Sequence, residues 1–192
     1  MIKYPGGQPY IKTPKAKPSV TKTAANRGMG LEHDLNISAE FYNESGRALI
    51  TKRPTPINIV KVDYSKGARI TDAYFEKQST TDYNGIYRGK YIDFEAKSSH
   101  NKVSFPLGNI YKHQFDHLSK VITQGGLAFF IIQFVPLDET YVVPAQAIID
   151  FASKDERKSL PLTFIKEKGV LVTPGYTPRL AFLDAVDSLF FK

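Results

Sequence analysis

Cysteine is absent from this chain. That excludes a disulfide framework and any thiolate metal centre, and it makes a reducing, cytoplasmic location the default. Long hydrophobic runs are also missing. The best candidate, LAFFIIQF at 127–134, falls far short of the roughly 18 residues a membrane span needs. The opening residues MIKYPGGQPY lack the apolar stretch of a secretory signal. Acidic residues are absent from positions 1–30, which hold Lys3, Lys12, Lys15, Lys17, Lys22 and Arg27. Of the net charge of +7, only +1 is left for residues 31–192. Residues 1–26 are therefore expected to form a basic, flexible arm with too little apolar content to fold alone. Two roles are open for it: contact with a polyanion through counterion release, or a solvated, solubilising terminus.

What is present is an ordinary globular composition, 42% hydrophobic and 12% aromatic. Residues 27–192 are long enough for one domain with a sizeable core. An approximate helical stripe of Leu31, Leu35 and Tyr42 predicts a helix over 30–43, stopped at Gly46. ALITKRPTPINIVKVDY predicts two strands with a rigid bend at Pro54 and Pro56. Residues 57–79 read as a hairpin-like excursion projecting from the core, with SKGAR as a basic turn. Asn84-Gly85 and Arg88-Gly89 predict turns. YIDFEAK alternates, so that Tyr91, Asp93, Glu95 and Lys97 share one face while Ile92, Phe94 and Ala96 share the other. Residues 106–126 predict a helix ending near Gly125, with Ile110, Gln114, Leu118 and Val121 on one stripe. GLAFFIIQFV should be a central strand covered on both faces. TYVVP predicts a strand, AQAIIDFAS a short helix, KDERKSLP a loop and LAFLDAVDSLFF a closing amphipathic helix. Interleaved strands and helices predict an α/β fold, a mixed central sheet flanked by helices.

The chemistry concentrates in TTDYNGIYRGKYIDFEAK, from Thr80 to Lys97. Glu95 and Lys97, two apart on a strand, emerge together. Asp82, about thirteen residues upstream, can be folded back alongside by a hairpin. Two carboxylates brought close repel, and a cation resolves the conflict. Mg²⁺ suits such oxygen donors. It can polarise a phosphoryl oxygen and acidify a bound water, while an ammonium group stabilises charge building on phosphorus. The set suits metal-assisted phosphodiester hydrolysis. Taken alone, so short and permissive a spacing fits a solvent-facing Glu and Lys with an ordinary turn Asp at least as well.

The arrangement resembles the PD-(D/E)xK nuclease superfamily, in which a hairpin sets an Asp beside an E-x-K strand. Five ordered blocks are similar, more closely, to the RecU family of Holliday junction resolvases: NRGMGLEHDLN at 26–36, KRPTPINIV at 52–60, STTDYNGIYRGKYIDFEAK at 79–97, NKVSFPLGNIYKHQ at 101–114 and GYTPRLAFLDAVD at 175–187. The resemblance implies a restriction-endonuclease-like fold with a protruding stalk at about 57–79. It implies Mg²⁺, with Mn²⁺ able to substitute, held by Thr80, Asp82, Glu95 and Gln114, and Lys97 as transition-state stabiliser. It further implies a homodimer acting on four-way junction DNA and an association with a recombinase. One departure is that SSHNK follows Lys97 where an acidic E-T-x-N-K is usual, which leaves the metal set intact.

Further residues carry paired readings. Gln114 faces the sheet either as a metal or water partner or bonded to backbone. Arg27 either grips phosphate or makes an ion pair at the helix entry. Lys52 and Arg53 are either DNA contacts or edge-strand charges. Lys61, Lys66 and Arg69 lie on the excursion, where Tyr64, Tyr74 and Phe75 would stack on bases or pack together. His113 and His117 have a zinc-compatible i, i+4 spacing but no third ligand pattern. Glu32 either supports the metal site or answers the helix dipole. The expected function is a junction-resolving endonuclease acting by paired symmetrical nicks in recombination and repair. The alternatives are a restriction-type endonuclease and a non-catalytic DNA-binding recombination mediator.

Overall fold

The computed structural model describes residues 29–75, 80–154 and 157–191. The expected basic arm at 1–26, Arg27, and the last four residues of the excursion lie outside them. No helix among the described residues is long and apolar enough to cross a membrane.

Helix α1 (Met29–Glu44) is followed by β1 (Leu49–Lys52), then β2 (Ile57–Asp63) and β3 (Arg69–Phe75). A hairpin of β4 (Tyr83–Tyr87) and β5 (Lys90–Ser99) comes next, then the short β6 (Ser104–Pro106) and α2 (Lys112–Thr123). β7 (Leu127–Phe134), β8 (Glu139–Pro144), α3 (Ala145–Lys154), β9 (Ser159–Pro161), α4 (Leu162–Lys168), β10 (Val170–Leu171) and α5 (Phe182–Phe190) complete the chain. Six strands form the main sheet in the order β1-β4-β5-β7-β8-β10. All neighbours are antiparallel except β5 and β7. The expected mixed sheet flanked by helices is what forms.

Strand alternation sorts the core into two layers. On one face α1 and α5 bring Leu31, Leu35, Tyr42, Phe182 and Val186 against Ile92, Phe94, Phe129 and Ile131. On the other, Leu118, Val121, Ile148 and Ile165 from α2, α3 and α4 cover Ala128, Phe130, Ile132 and Val143. β7 contributes to both clusters, as its continuous apolar run requires.

An aromatic stack sets the register of the three strands nearest the acids. Tyr83, Phe94 and Phe129 are cross-strand partners. Their rings stack at centroid distances of 4.9 Å and 4.8 Å, nearly parallel. The Tyr83 hydroxyl donates to Asn36 Oδ1 at 2.7 Å, tying the stack to α1. A one-residue slip would turn every side chain to the wrong face, so this stack decides which residue lies beside Glu95.

Three local expectations are corrected. Asn84-Gly85 is not a turn but lies within β4. A Cβ on Gly85 would sit 2.0 Å from the Leu49 carbonyl oxygen, so the glycine marks close strand approach. The turn is Arg88-Gly89 alone, both at positive φ (49° and 73°), as a two-residue type I′ hairpin demands. α2 begins at Lys112, not near residue 106: Pro106 ends β6 and residues 107–109 form a single 3₁₀ turn. Ile110 is buried in the same cluster as Leu118 but is not on the helix. The expected loop at 154–161 ends in β9, which pairs with β6. α4 and β10, short and weakly periodic, carried no sequence signal.

Candidate active site

The β4–β5 hairpin brings Asp82 and Glu95 together at its open end. Tyr83 pairs with Phe94, so the preceding residue, Asp82, arrives beside Glu95. The two are interlocked: the Asp82 amide donates to Glu95 Oε2 at 3.1 Å, and the Ala96 amide donates to Asp82 Oδ2 at 3.0 Å. Glu95 is only 2% exposed. Its Oε1 accepts from Gln114 Nε2 at 2.6 Å and pairs with Lys97 Nζ at 2.7 Å. Burial and the nearby Asp82 charge push the Glu95 carboxyl up to about 7, against the opposing pull of Lys97 and Gln114. Asp82, Glu95 and Lys97 line one cavity of about 210 Å³ together with Leu31, Glu32, Ala96 and Ser98.

The donors here are of the oxygen type that a hard cation takes. Asp82 and Glu95, with Glu32 at the rim, line a small polar cavity, and burial and the nearby Asp82 charge raise the proton affinity of Glu95. Among the described residues no group of three or more His, Cys, Asp and Glu side chains is arranged to hold a metal. The remaining positions around a cation would therefore fall to neutral oxygens and water, as Mg²⁺ accepts. Thr80 Oγ1 accepts from Arg53 at 3.0 Å, which leaves it a second lone pair. The Gln114 oxygen accepts from the Tyr111 amide at 3.1 Å in the first turn of α2, and its amino group faces Glu95.

Beside this cavity is a second network that the sequence did not reveal. Asp93, on the same face of β5, is fully buried. It is met by Arg53 at 2.5 Å, Thr81 Oγ1 at 2.5 Å, the Tyr91 hydroxyl at 2.8 Å and His117 Nε2 at 2.9 Å. Only the alternation of YIDFEAK hinted that Asp93 would share the site's face. His113 instead stacks against the Tyr111 ring. Lys52 pairs with Glu32 at the cavity rim. Lys61, Lys66 and Arg69 are exposed on the β2–β3 ribbon, which forms its own two-stranded sheet, separate from the main one. Tyr64 and Phe75 on that ribbon are 75% and 76% exposed, and Tyr74, Ile59 and Val60 are also open to solvent.

A β-hairpin that sets an Asp beside the Glu and Lys of an E-x-K strand, within a mixed sheet, is the framework of the PD-(D/E)xK class. The family model of Recombination protein U matches residues 26–188. The Holliday junction resolvase RecU of Geobacillus kaustophilus is 47% identical over 196 aligned positions, covering 99% of this chain and 98% of its own. That of Oceanobacillus iheyensis is 46% identical, covering 99% of this chain and all of its own. The chain belongs to the RecU family. A solved structure of the Archaeoglobus fulgidus resolvase Hjc superposes with a TM-score of 0.45 at 12% identity, over 75% of this chain and 95% of that one. That likeness adds nothing to the family assignment.

Proposed function

We propose that this protein is a divalent-metal-dependent endonuclease that resolves four-way DNA junctions in the cytoplasm, during recombination and repair. The observation that carries the reading is the convergence of Asp82, Glu95 and Lys97 on one cavity, in a chain whose close relatives are named Holliday junction resolvases. Asp82 and Glu95 would hold the metal, with Thr80 and Gln114 completing the set. Gln114 would then turn its oxygen from the Tyr111 amide toward the site. When bound, Mg²⁺ or Mn²⁺ supplies Lewis-acid polarisation of a phosphoryl oxygen and a more acidic water.

The chain's own groups do the rest. Lys97, fixed by Glu95 at 2.7 Å, presents an ammonium beside the scissile phosphate and stabilises the charge that builds there. The Asp82 amide and Lys97 hold the Glu95 carboxylate in one orientation, so little reorganisation of that group is needed during reaction. The exposed ribbon offers Lys61, Lys66 and Arg69 to phosphates and Tyr64, Tyr74 and Phe75 to unstacked bases at a branch point. Selectivity would follow branch shape and deformability rather than base sequence. Two subunits, each with one site, would nick opposed strands symmetrically. A recombinase is the expected protein partner.

The test is a labelled mobile four-way junction incubated with Mg²⁺ or with EDTA, beside linear duplex of the same sequence. Paired symmetrical nicks on the junction alone, absent with EDTA, are expected. Asp82→Asn should lose cleavage and keep junction binding. Cutting of linear duplex at defined sequences, or cleavage by Asp82→Asn at the parent rate, would overturn the assignment.

A further inference from the structure

Arg53 has the composition of a DNA contact but not the surroundings of one. It stands just before the Pro54-Thr-Pro56 bend, where the chain leaves the main sheet for the ribbon. Thr80 stands where the chain returns. The Arg53 guanidinium donates to Thr80 Oγ1 at 3.0 Å, to Asp93 Oδ2 at 2.5 Å and to the Tyr91 hydroxyl at 2.9 Å. Its backbone amide donates to the Asp82 carbonyl at 2.8 Å. Its Nε is enclosed and has no hydrogen-bond partner. The partner Asp93 is fully buried and braced by Thr81, Tyr91 and His117.

We infer that Arg53 is a positioning residue: anchored on buried Asp93, it clamps the two feet of the ribbon together and fixes the Thr80–Asp82 segment against the strand that carries Glu95. The planar fork of donors matters here. One guanidinium spans a hydroxyl, a carboxylate and a phenol at once, which a lysine ammonium on a flexible stem does not reproduce in one geometry. Loss of the clamp frees the Asp82 carboxylate from its place against the Ala96 amide. The inference rests on the catalytic reading of Asp82, but its structural half is measured separately.

The test compares the parent with Arg53→Lys and Arg53→Gln. Junction affinity, its salt dependence, the cleavage rate at saturating junction and the exchange of the Asp82 and Ala96 amides by NMR are all read. If the clamp operates, both variants keep the parent affinity and the parent slope of log K against log salt. Their saturated rate falls roughly 10- to 100-fold, as expected for a misplaced catalytic group, and the two amides exchange at least about tenfold faster. A phosphate contact gives the opposite pattern: Arg53→Gln loses affinity and about 0.9 from the salt slope, Arg53→Lys recovers both, and the saturated rate is unchanged. That pattern overturns the inference, and so do unchanged amide exchange rates. Should Arg53→Gln fail to fold, Arg53→Lys decides alone, because it keeps a cation beside Asp93. If the parent itself leaves junctions uncut, the proposed function fails while the exchange data still judge the clamp.

Discussion

Removing the Glu95 charge should stabilise the metal-free protein at alkaline pH. Glu95 is buried, and its carboxyl is held near 7 instead of the usual 4.5. Between those values the folded protein binds a proton that the unfolded chain does not. Stability therefore falls as pH rises through this window and levels off above it. The interval of about 2.5 pH units corresponds to about 3 kcal/mol at 1.36 kcal/mol per unit. At 2% exposure the group has little solvent screening to reduce that figure. Glu95→Gln removes this titration. The assay is urea unfolding of parent and variant in EDTA from pH 4.5 to pH 8, with free energies taken by linear extrapolation. The gap between the two profiles should move by about 3 kcal/mol in the variant's favour, or roughly 6–12 °C in Tm for a chain of this size. Millimolar Mn²⁺ at pH 8 should restore the parent, by about 2.7 kcal/mol at a hundredfold excess over Kd, and leave the variant unmoved. Parallel pH profiles would show that burial and Asp82 do not raise the Glu95 carboxyl, and the reading of a cation-seeking site would fall with them.

Gly85→Ala tests the sheet edge that positions Asp82. The added methyl would meet the Leu49 carbonyl oxygen at 2.0 Å and the Ile50 Cα at 3.0 Å. β1 must therefore part from β4, and a loss of about 3 kcal/mol is expected by thermal unfolding; an unchanged Tm would contradict the register. Replacing Lys61, Lys66 and Arg69 together by Gln should lower the slope of log K against log salt for junction binding by about 2 to 3. These side chains are exposed on the ribbon, so urea unfolding should barely change. An unaltered slope would remove the ribbon from the DNA interface.

Much of the candidate site was legible in one dimension because strand alternation is a local rule. YIDFEAK placed Asp93, Glu95 and Lys97 on one face, and the Glu95–Lys97 pair at 2.7 Å follows from their spacing. The Arg88-Gly89 turn required only a glycine and a residue tolerant of positive φ, so the hairpin that returns Asp82 could be foreseen. Asn84-Gly85 carried the same local signal and misled, because its glycine serves contact with a strand more than thirty residues earlier. α2 was expected six residues too early, since Ile110 continues the helical spacing while its burial comes from an extended approach to the same cluster. α4 and β10 are too short to show a period.

By itself the sequence determined the alternation of elements, the face on which the acids lie and the confinement of excess positive charge to the first thirty residues. These depend on neighbours a few positions apart. Tertiary structure alone decided that Arg53, forty residues from Asp93, would be drawn into an ion pair with that buried carboxylate at 2.5 Å. It also decided that burial and the nearby Asp82 charge would push the Glu95 carboxyl up. Burial and charge proximity are sums over groups distant in the chain, so neither could be read until the sheet had closed over them.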